Sequence, residues 1–226
     1  MKNISNLPSD GINYHGLPNN KKQKSIKYRT LKAIDDSNIK DFDKLKEGTY
    51  FFNIVSSVII ESPAPPFKLL TGDMKRLLID LRIDSIGNEY EIEIYDNIEG
   101  KKFKHIIDLT KIKNKELSNE IKEDGTYEII INNIKYKIRL LSDNEKNKFN
   151  ESTKNIDIIK NSVISIDDND QIDIKSFISE LSLKEYRELI KKVSGLEPDI
   201  DSKFNIKSPY GNEIEYNFTI PFDFFL

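Results

Sequence analysis

The stretch TYEIIINNIKYKIRL, residues 126–140, contains two runs in which every second side chain is apolar. Alternation of this kind places every second side chain on the same face of an extended strand. The apolar positions are Tyr127, Ile129, Ile131, Ile134, Tyr136 and Ile138. Asn132-Asn133, between the two runs, has the composition of a two-residue hairpin turn. The stretch therefore predicts an antiparallel β-hairpin with one buried face.

A similar pattern precedes this hairpin. Residues 89–95 (EYEIEIY) alternate acidic and apolar side chains, residues 97–100 supply a turn, and residues 103–109 form the return strand. Two hairpins of this kind predict an antiparallel sheet of three or four strands.

A third hairpin is predicted over residues 204–220, with its turn at 208–212. One face of its second strand carries Ile214, Tyr216, Phe218 and Ile220. Pro221 then removes a ladder donor, which usually ends a strand or places it at an edge. Four apolar residues follow, namely Phe222, Phe224, Phe225 and Leu226. Two interpretations remain open: these side chains fold back into the protein's own core, or they anchor a neighbouring protein.

Helices are predicted on both sides of the first two hairpins. Helical spacing of apolar residues indicates helices at 33–46, 49–61 and 74–83, the last capped by Thr71 or Asp73. Ser142 and Ser182 each begin a capping box, and Asp173 is a further N-cap. The predicted helices after the second hairpin are residues 142–153, 174–181 and 183–193, with Gly195 as the C′ residue of the last.

The predicted fold class is therefore α+β, with antiparallel β-hairpins, zinc-ribbon-like but without metal, combined with short helices. A short strand is also expected at 25–31. The predicted organisation has three parts: an extended arm over residues 1–23, helices and hairpins over 24–141, and a helical segment with the last hairpin and the aromatic tail over 142–226.

Composition excludes several classes of function. The 35 basic and 38 acidic residues nearly cancel, so a clustered excess of positive charge for nucleic acid is absent. We expect no secretory signal, because the first residues contain no apolar core, and no apolar run is long enough to span a membrane. With no cysteine, disulfides and thiolate sites are excluded. We therefore expect no nucleic-acid partner and no membrane partner.

No pattern of catalytic residues is evident. The two histidines, His15 and His105, are ninety positions apart, and each is expected at the surface or in packing. Residues 167–173 contain four aspartates but lack the glycine and glutamate of a calcium loop. We expect no catalytic residue, no cofactor, no metal site and no small-molecule ligand, with a small enzyme of unknown type as a remaining alternative.

Four segments resemble, in order, a family of baseplate hub proteins from T-even-type contractile-tailed phages. They are Leu7 to Tyr14 (LPSDGINY), Ile26 to Leu31, Leu69 to Tyr90, and Pro209 through Phe225. The resemblance implies cysteine pairs at the two hairpins in many relatives, which suggests zinc knuckles there. Here Ser208 and Gly211 stand near those positions in the last hairpin, and residues 95–98 in the first. The resemblance thus implies a form in which packing and turn chemistry replace the metal.

The resemblance implies a non-catalytic, structural or morphogenetic role in the baseplate hub. Its partners would be other phage baseplate or tail proteins, and its location the virion tail baseplate after assembly in the host cytoplasm. The main alternative is a tail-assembly chaperone that binds the hub or tape-measure protein and is absent from the virion. The residues proposed for partner binding are Leu7, Pro8, Tyr14, Phe222, Phe224, Phe225 and Leu226.

Overall fold

The computed structural model describes residues 2–10, 23–116, 122 and 124–226. The β-strands in these residues are β1 (Asn3–Asn6), β2 (Ser25–Tyr28), β3 (Ile59–Glu61), β4 (Glu89–Asp96), β5 (Lys101–Asp108), β6 (Lys113–Asn114), β7 (Thr126–Ile131), β8 (Ile134–Arg139), β9 (Val163–Ile166), β10 (Ile200–Asp201), β11 (Lys203–Lys207) and β12 (Glu213–Asn217). The α-helices are α1 (Asp36–Ile39), α2 (Phe42–Lys46), α3 (Tyr50–Val58), α4 (Thr71–Ser85), α5 (Asp143–Lys146), α6 (Lys154–Ser162), α7 (Ile174–Glu180) and α8 (Leu183–Leu196). Short 3-10 helices lie at Ala33–Asp35, Pro66–Lys68 and Leu109–Lys111.

Every strand pair in the described residues is antiparallel, and the strands form five small sheets. Helices and antiparallel hairpins together make a mixed α+β fold. The predicted fold class is confirmed.

The hairpin β7–β8 has the predicted strands and turn. Its turn residues Asn132 and Asn133 have φ angles of 50° and 65°, which favour a tight hairpin turn and which asparagine tolerates well. Tyr127 pairs with Ile138 and Ile131 with Ile134, so the apolar side chains share one face as predicted.

The predicted sheet that joins the first two hairpins is wrong. β4–β5 forms a two-stranded sheet, whereas β8 pairs on its other edge with β9, Tyr136 opposite Ile166. Val163 and Ile166 of β9 are buried, so this short strand covers the edge that the other hairpin would have occupied. The hairpin β4–β5 instead contributes its own apolar face, including Ile94 and Phe103, to the core.

The sheet β1-β2-β3 corrects a helix boundary. The strand expected at 25–31 is present as β2, with Ile26 and Tyr28 buried. The helix predicted over 49–61 ends at Val58, and Ile59–Glu61 forms β3. Pairing with β2 satisfies backbone groups of this short segment, and local helical spacing cannot reveal a partner so distant in the sequence.

α4 begins at Thr71, three positions before its predicted start. Its N-cap is Leu70 without a side-chain hydrogen bond, so the prediction that Thr71 or Asp73 caps the helix is wrong. Both residues lie within the first turn of the helix. The carboxylate of Asp73 accepts a hydrogen bond from the Ser9 amide, at 3.0 Å, and so binds a residue outside the helix. Most residues of α4 are themselves buried, which makes it the central element of the fold.

The later helix caps are confirmed, whereas several helix ends are not. Ser142 and Ser182 form complete capping boxes, and Asp173 accepts from the Ser176 amide. α5 ends at Lys146, so the helix predicted to residue 153 is too long. α8 continues through Gly195, which is a helical residue and not the predicted C′ residue.

The helix predicted over residues 33–46 is interrupted. It consists of a 3-10 helix followed by α1 and α2, and the Asp41 side chain accepts from the Lys44 amide to begin α2 anew. A local N-cap therefore divides a segment whose apolar spacing alone suggests one helix.

The buried apolar cluster includes residues from all three predicted parts of the chain, for example Leu7, Ile107 and Phe224. The three-part division itself stays a prediction. In the described residues, no helix combines the length and apolar character needed to cross a membrane.

Candidate partner-binding site

The segment after β12 folds back as a turn. The Phe218 amide donates to the Ser202 carbonyl at 2.9 Å, which is the last cross-strand contact of the hairpin. Beyond it, the Phe224 amide donates to the Pro221 carbonyl at 3.2 Å and the Leu226 amide to the Asp223 carbonyl at 2.9 Å. These local bonds set the direction of each side chain in the segment.

Two of the four apolar side chains in this segment are buried. Phe224 is completely inaccessible and Phe225 nearly so. The Phe224 ring lies 5.9 Å from that of Phe218, and 5.3 Å from those of Phe225 and Tyr90. Distances and tilted or edge orientations of this kind are favourable for aromatic pairs. These two phenylalanines belong to the protein's own core.

Arg82 of α4 holds the segment in place. Its guanidinium donates to the Phe224 carbonyl at 2.7 Å and lies over the rings of Tyr90 (4.9 Å) and Phe224 (5.3 Å). Burial lowers the pKa of Arg82 from its ordinary value and raises that of Tyr90. The Tyr90 hydroxyl in turn lies 3.4 Å from the Asp223 carboxylate. The buried cation is thus stabilised mainly by a carbonyl and two aromatic faces.

Phe222 and Leu226 point outward from the same turn, with 51% and 57% of their surface exposed. Each of the two interpretations that the sequence left open therefore fits one pair of these side chains. Phe224 and Phe225 are packed internally, and Phe222 and Leu226 are available for a partner. The sequence could not separate them, because both pairs lie beyond the regular strand alternation.

At the other end of the described chain, β1 packs on α4. The Ser5 hydroxyl donates to the Asp80 carboxylate at 2.6 Å, and the Leu7 amide donates to the Lys24 carbonyl at 3.0 Å. Leu7 and Pro8 are buried. Their side chains are therefore used in internal packing, and any partner contact through them would require this end to open. Tyr14 lies outside the described residues.

A polar link between two hairpins was not anticipated from the sequence. Asp96, at the end of β4, accepts from the amides of Ile98 (3.0 Å) and Glu99 (3.2 Å). It also accepts from the Asn212 side chain of the last hairpin at 3.0 Å and hydrogen-bonds to Ser208. The hydrogen bond from Asn212 lowers the pKa of Asp96.

This link lies where the resemblance places cysteine pairs in relatives. It connects the same two hairpin turns through side-chain hydrogen bonds. Only the aspartate-asparagine composition of the turns could have suggested it, and that composition is common in turns of every kind.

The other polar candidates have structural roles. Asp167 and Asp168 adopt left-handed backbone angles, and Asp167 accepts from the Lys135 amide at 2.8 Å, so this segment is a turn against β8. Where the structure describes the chain, no three histidine or acidic side chains come together as a metal-binding group. His105 is half-buried on β5. The polar residues described above serve packing, turns and caps.

Such an arrangement is that of a mixed α+β protein. Residues 11–226 match the family described as T4 bacteriophage base plate protein, and the chain belongs to that family. Neither the curated proteins nor the solved structures contain a significant match.

Family membership confirms the predicted relationship to T4-type baseplate proteins. It gives the chain a structural role in the phage baseplate, a location in the virion tail, and other baseplate or tail proteins as its partners.

Proposed function

We propose that this protein is a non-catalytic component of the baseplate hub, or a factor that assembles the hub in the host cytoplasm. The proposal is supported by the four segments that resemble hub proteins in the same order along the chain. The family is a structural one, and the polar groups described above are occupied by internal hydrogen bonds.

The observation that carries the proposal is the arrangement of the C-terminal turn. Phe224 and Phe225 fix the turn in the core, and Phe222 and Leu226 project from it. Exposed apolar side chains on a rigid support lose little conformational entropy when they bind. Aromatic side chains of this kind commonly dominate protein interfaces. Phe222 and Leu226 are therefore the proposed contact with a neighbouring hub protein.

Mass spectrometry of purified virions tests the location. We expect the protein in virions at a fixed ratio to the hub proteins, with cross-links to them. Its complete absence from virions, together with a complex with hub or tape-measure protein in infected cells, would instead identify an assembly chaperone. Cross-links only to peripheral baseplate proteins would contradict the hub position.

The contact itself is tested by a Phe222→Ser/Leu226→Ser variant. We expect an unchanged melting temperature and loss of incorporation into baseplates in a complementation assay. Ile130→Ser is the matched control, since Ile130 is 61% exposed and lies on β7, where its carbonyl accepts from the Lys192 side chain of α8. Normal incorporation of the double variant would show that this surface is not the contact.

A further inference from the structure

β1 lies at the edge of its sheet and directs part of its main chain away from β2. It pairs with β2 on one side, with Ser5 opposite Ile26, and no other described strand pairs with it. The Leu7 amide donates to the Lys24 carbonyl at 3.0 Å, and hydrogen-bonded pairs alternate along antiparallel strands. Ser5 therefore bonds to β2, whereas the amide and carbonyl of Ile4 face the opposite side.

A groove of about 450 Å³ lies along this outer edge of β1. The strand contributes Ile4 and Asn6 to its lining, the residues whose main chain faces away from β2. Arg76 and Asp80 of α4 line it from within the fold. The rest of the lining comes from the segment that leads into β6 and from β6 itself: Thr110, Ile112, Lys113 and Asn114. The groove therefore has β1 on one side and β6 on the other.

The groove contains hydrogen-bonding groups that are not used within the described residues. The Asn114 side chain donates to the Asn6 carbonyl at 2.9 Å, and the described chain offers no partner to Ile4 on this side. The Asn114 oxygen Oδ1 is buried, also without a hydrogen-bond partner in that part of the chain. Unpaired main-chain groups at a strand edge favour pairing with a further strand.

The opposite wall restricts the occupant to a single extended segment. Neighbouring strands lie about 4.8 Å apart, so a second copy paired through its own β1 would place its β2 about 10 Å from this strand. The hydrogen bond from Asn114 to Asn6 shows that β6 already occupies that space. A segment with no sheet behind it avoids the clash.

We propose that an extended segment of another protein adds to the outer edge of β1 as an antiparallel strand, bonded to the amide and carbonyl of Ile4. Antiparallel pairing is the more stable form, and every strand pair of the described chain uses it. Asn114 closes the groove at Asn6, so the added strand extends from Ser5 toward Lys2. The inference goes beyond the hub position and does not depend on it.

The two faces of β1 define the side chains of the added segment. Ser5 is buried and donates to Asp80, whereas Ile4 is 59% exposed on the other face. An apolar β-branched residue opposite Ile4 would share that face and pack on it. Its neighbours in the segment would turn toward the ion pair of Arg76 and Asp80, where small hydroxyl side chains suit the polar surroundings. The expected pattern thus alternates these two kinds of residue.

The test uses the full chain, labelled with ¹⁵N, and the peptide acetyl-Ser-Val-Thr-Val-amide, whose first valine is to pair with Ile4. Hydrogen exchange at individual amides is measured. In the free protein, the Ile4 amide should exchange at least about tenfold faster than the Ser5 amide, which is bonded to β2. Peptide at about 5 mM should slow exchange at Ile4 about fivefold, as for a dissociation constant near 1 mM, and leave Ser5 unchanged.

Two N-methylated peptides separate main-chain pairing from side-chain contact. Methylation of the first valine removes the N–H that would bond to the Ile4 carbonyl and should weaken binding at least about tenfold. Methylation of the threonine removes an N–H that would face away from β1 and should weaken binding less than about threefold. Equal weakening would contradict this pairing.

Two substitutions at Ile4 make the matching test in the protein. Ile4→Pro removes an amide that faces away from β2, a position at which edge strands tolerate proline. We expect an unchanged melting temperature and peptide binding at least about tenfold weaker, measured from the amide shift of Asn3. Ile4→Thr keeps the amide and a β-branched side chain, and should bind the peptide within about twofold of the natural protein.

Three results would overturn the proposal. The first is an Ile4 amide as protected as that of Ser5 in the free protein at every concentration, which would mean that another part of the chain covers the edge. The second is protection of Ile4 that rises with protein concentration without peptide, which would indicate a second copy of this chain. The third is unchanged exchange at Ile4 with about 5 mM peptide.

Discussion

The guanidinium of Arg82 donates a 2.7 Å hydrogen bond to the main-chain carbonyl of Phe224, a residue 142 positions later in the sequence. The same group lies over the rings of Tyr90 and Phe224. One side chain of the central helix thus fixes the backbone of the C-terminal turn. The outward direction of Phe222 and Leu226 depends on that contact.

Replacement of Arg82 by methionine keeps an unbranched apolar stem and removes the hydrogen bond and both ring contacts. We expect the free energy of unfolding to fall by about 2–3 kcal/mol, because a charge-assisted hydrogen bond and a desolvated cation–π contact are lost together. Urea denaturation measures the change. Lys184→Met at an exposed position of α8 should alter stability by no more than about 0.5 kcal/mol. Equal effects of the two variants would contradict the assigned role.

Substitution by alanine should lower the free energy of unfolding far more for the buried phenylalanine of the C-terminal segment than for the exposed one. Phe224→Ala should lower the free energy of unfolding by about 3–5 kcal/mol, since it empties a fully buried site. Phe222→Ala should change it by about 0.5 kcal/mol or less, since the side chain is half exposed. Thermal or urea unfolding of the isolated protein compares them. Similar losses for both would mean that Phe222 is part of the core.

Two glycines in helices should have opposite effects on the stability of the protein when they are changed to alanine. A Cβ at Gly72 would lie 2.1 Å from the Pro198 carbonyl oxygen, so Gly72→Ala must displace backbone. We expect a loss of about 1–3 kcal/mol or more. Gly195 in α8 has no atom within 4 Å of the corresponding position, and Gly195→Ala should raise stability by about 0.5–1 kcal/mol. A neutral Gly72→Ala would show that α4 and Pro198 are not in close contact.

The carboxylate of Asp96 should make stability depend on pH. Its pKa is lower in the folded protein than the unfolded value of about 3.9, so its stabilising effect is complete above that value and is lost as the pH falls through the folded pKa. Asp96→Asn cannot titrate. Its melting temperature should lie below that of the natural protein at pH 7, and the difference should shrink below about pH 4.

Asn212→Asp provides the converse test of this link. It places a second carboxylate against Asp96, so it should destabilise the protein at neutral pH and recover in acid, where one of the pair is protonated. For Asp96→Asn, the contradicting result is a melting-temperature difference from the natural protein that stays constant from pH 7 to pH 3. It would show that the negative charge of Asp96 is not what links the hairpins.

The elements that were predicted correctly are those determined by residues close to one another in the sequence. Alternation over residues 126–140 gave both strands of the hairpin, and Asn132-Asn133 gave its turn, because each feature is determined within a few positions. The capping boxes at Ser142 and Ser182 were predictable for the same reason. The class of fold followed from these elements together.

Features that depend on distant residues were not predicted. β3 and β9 are only three and four residues long, and each is a strand because a partner strand lies beside it. The first turn of α4 depends on packing against Pro198 and on the hydrogen bond from Ser9 to Asp73. Similarly, the sequence could not divide the aromatic tail into core and surface, since Arg82 determines that division from outside the segment.

The position of α4 in the chain also limits when the protein can complete its fold during synthesis. Arg82 leaves the ribosome long before Phe224, and until Phe224 emerges the guanidinium lacks the carbonyl that it binds in the finished protein. A buried polar group without its partner is strongly unfavourable. Nascent chains should therefore keep this end of α4 hydrated and open to solvent, and the core should close around it only after residue 224 has emerged. The protein would then present its outward pair, Phe222 and Leu226, only on chains whose interior is already complete.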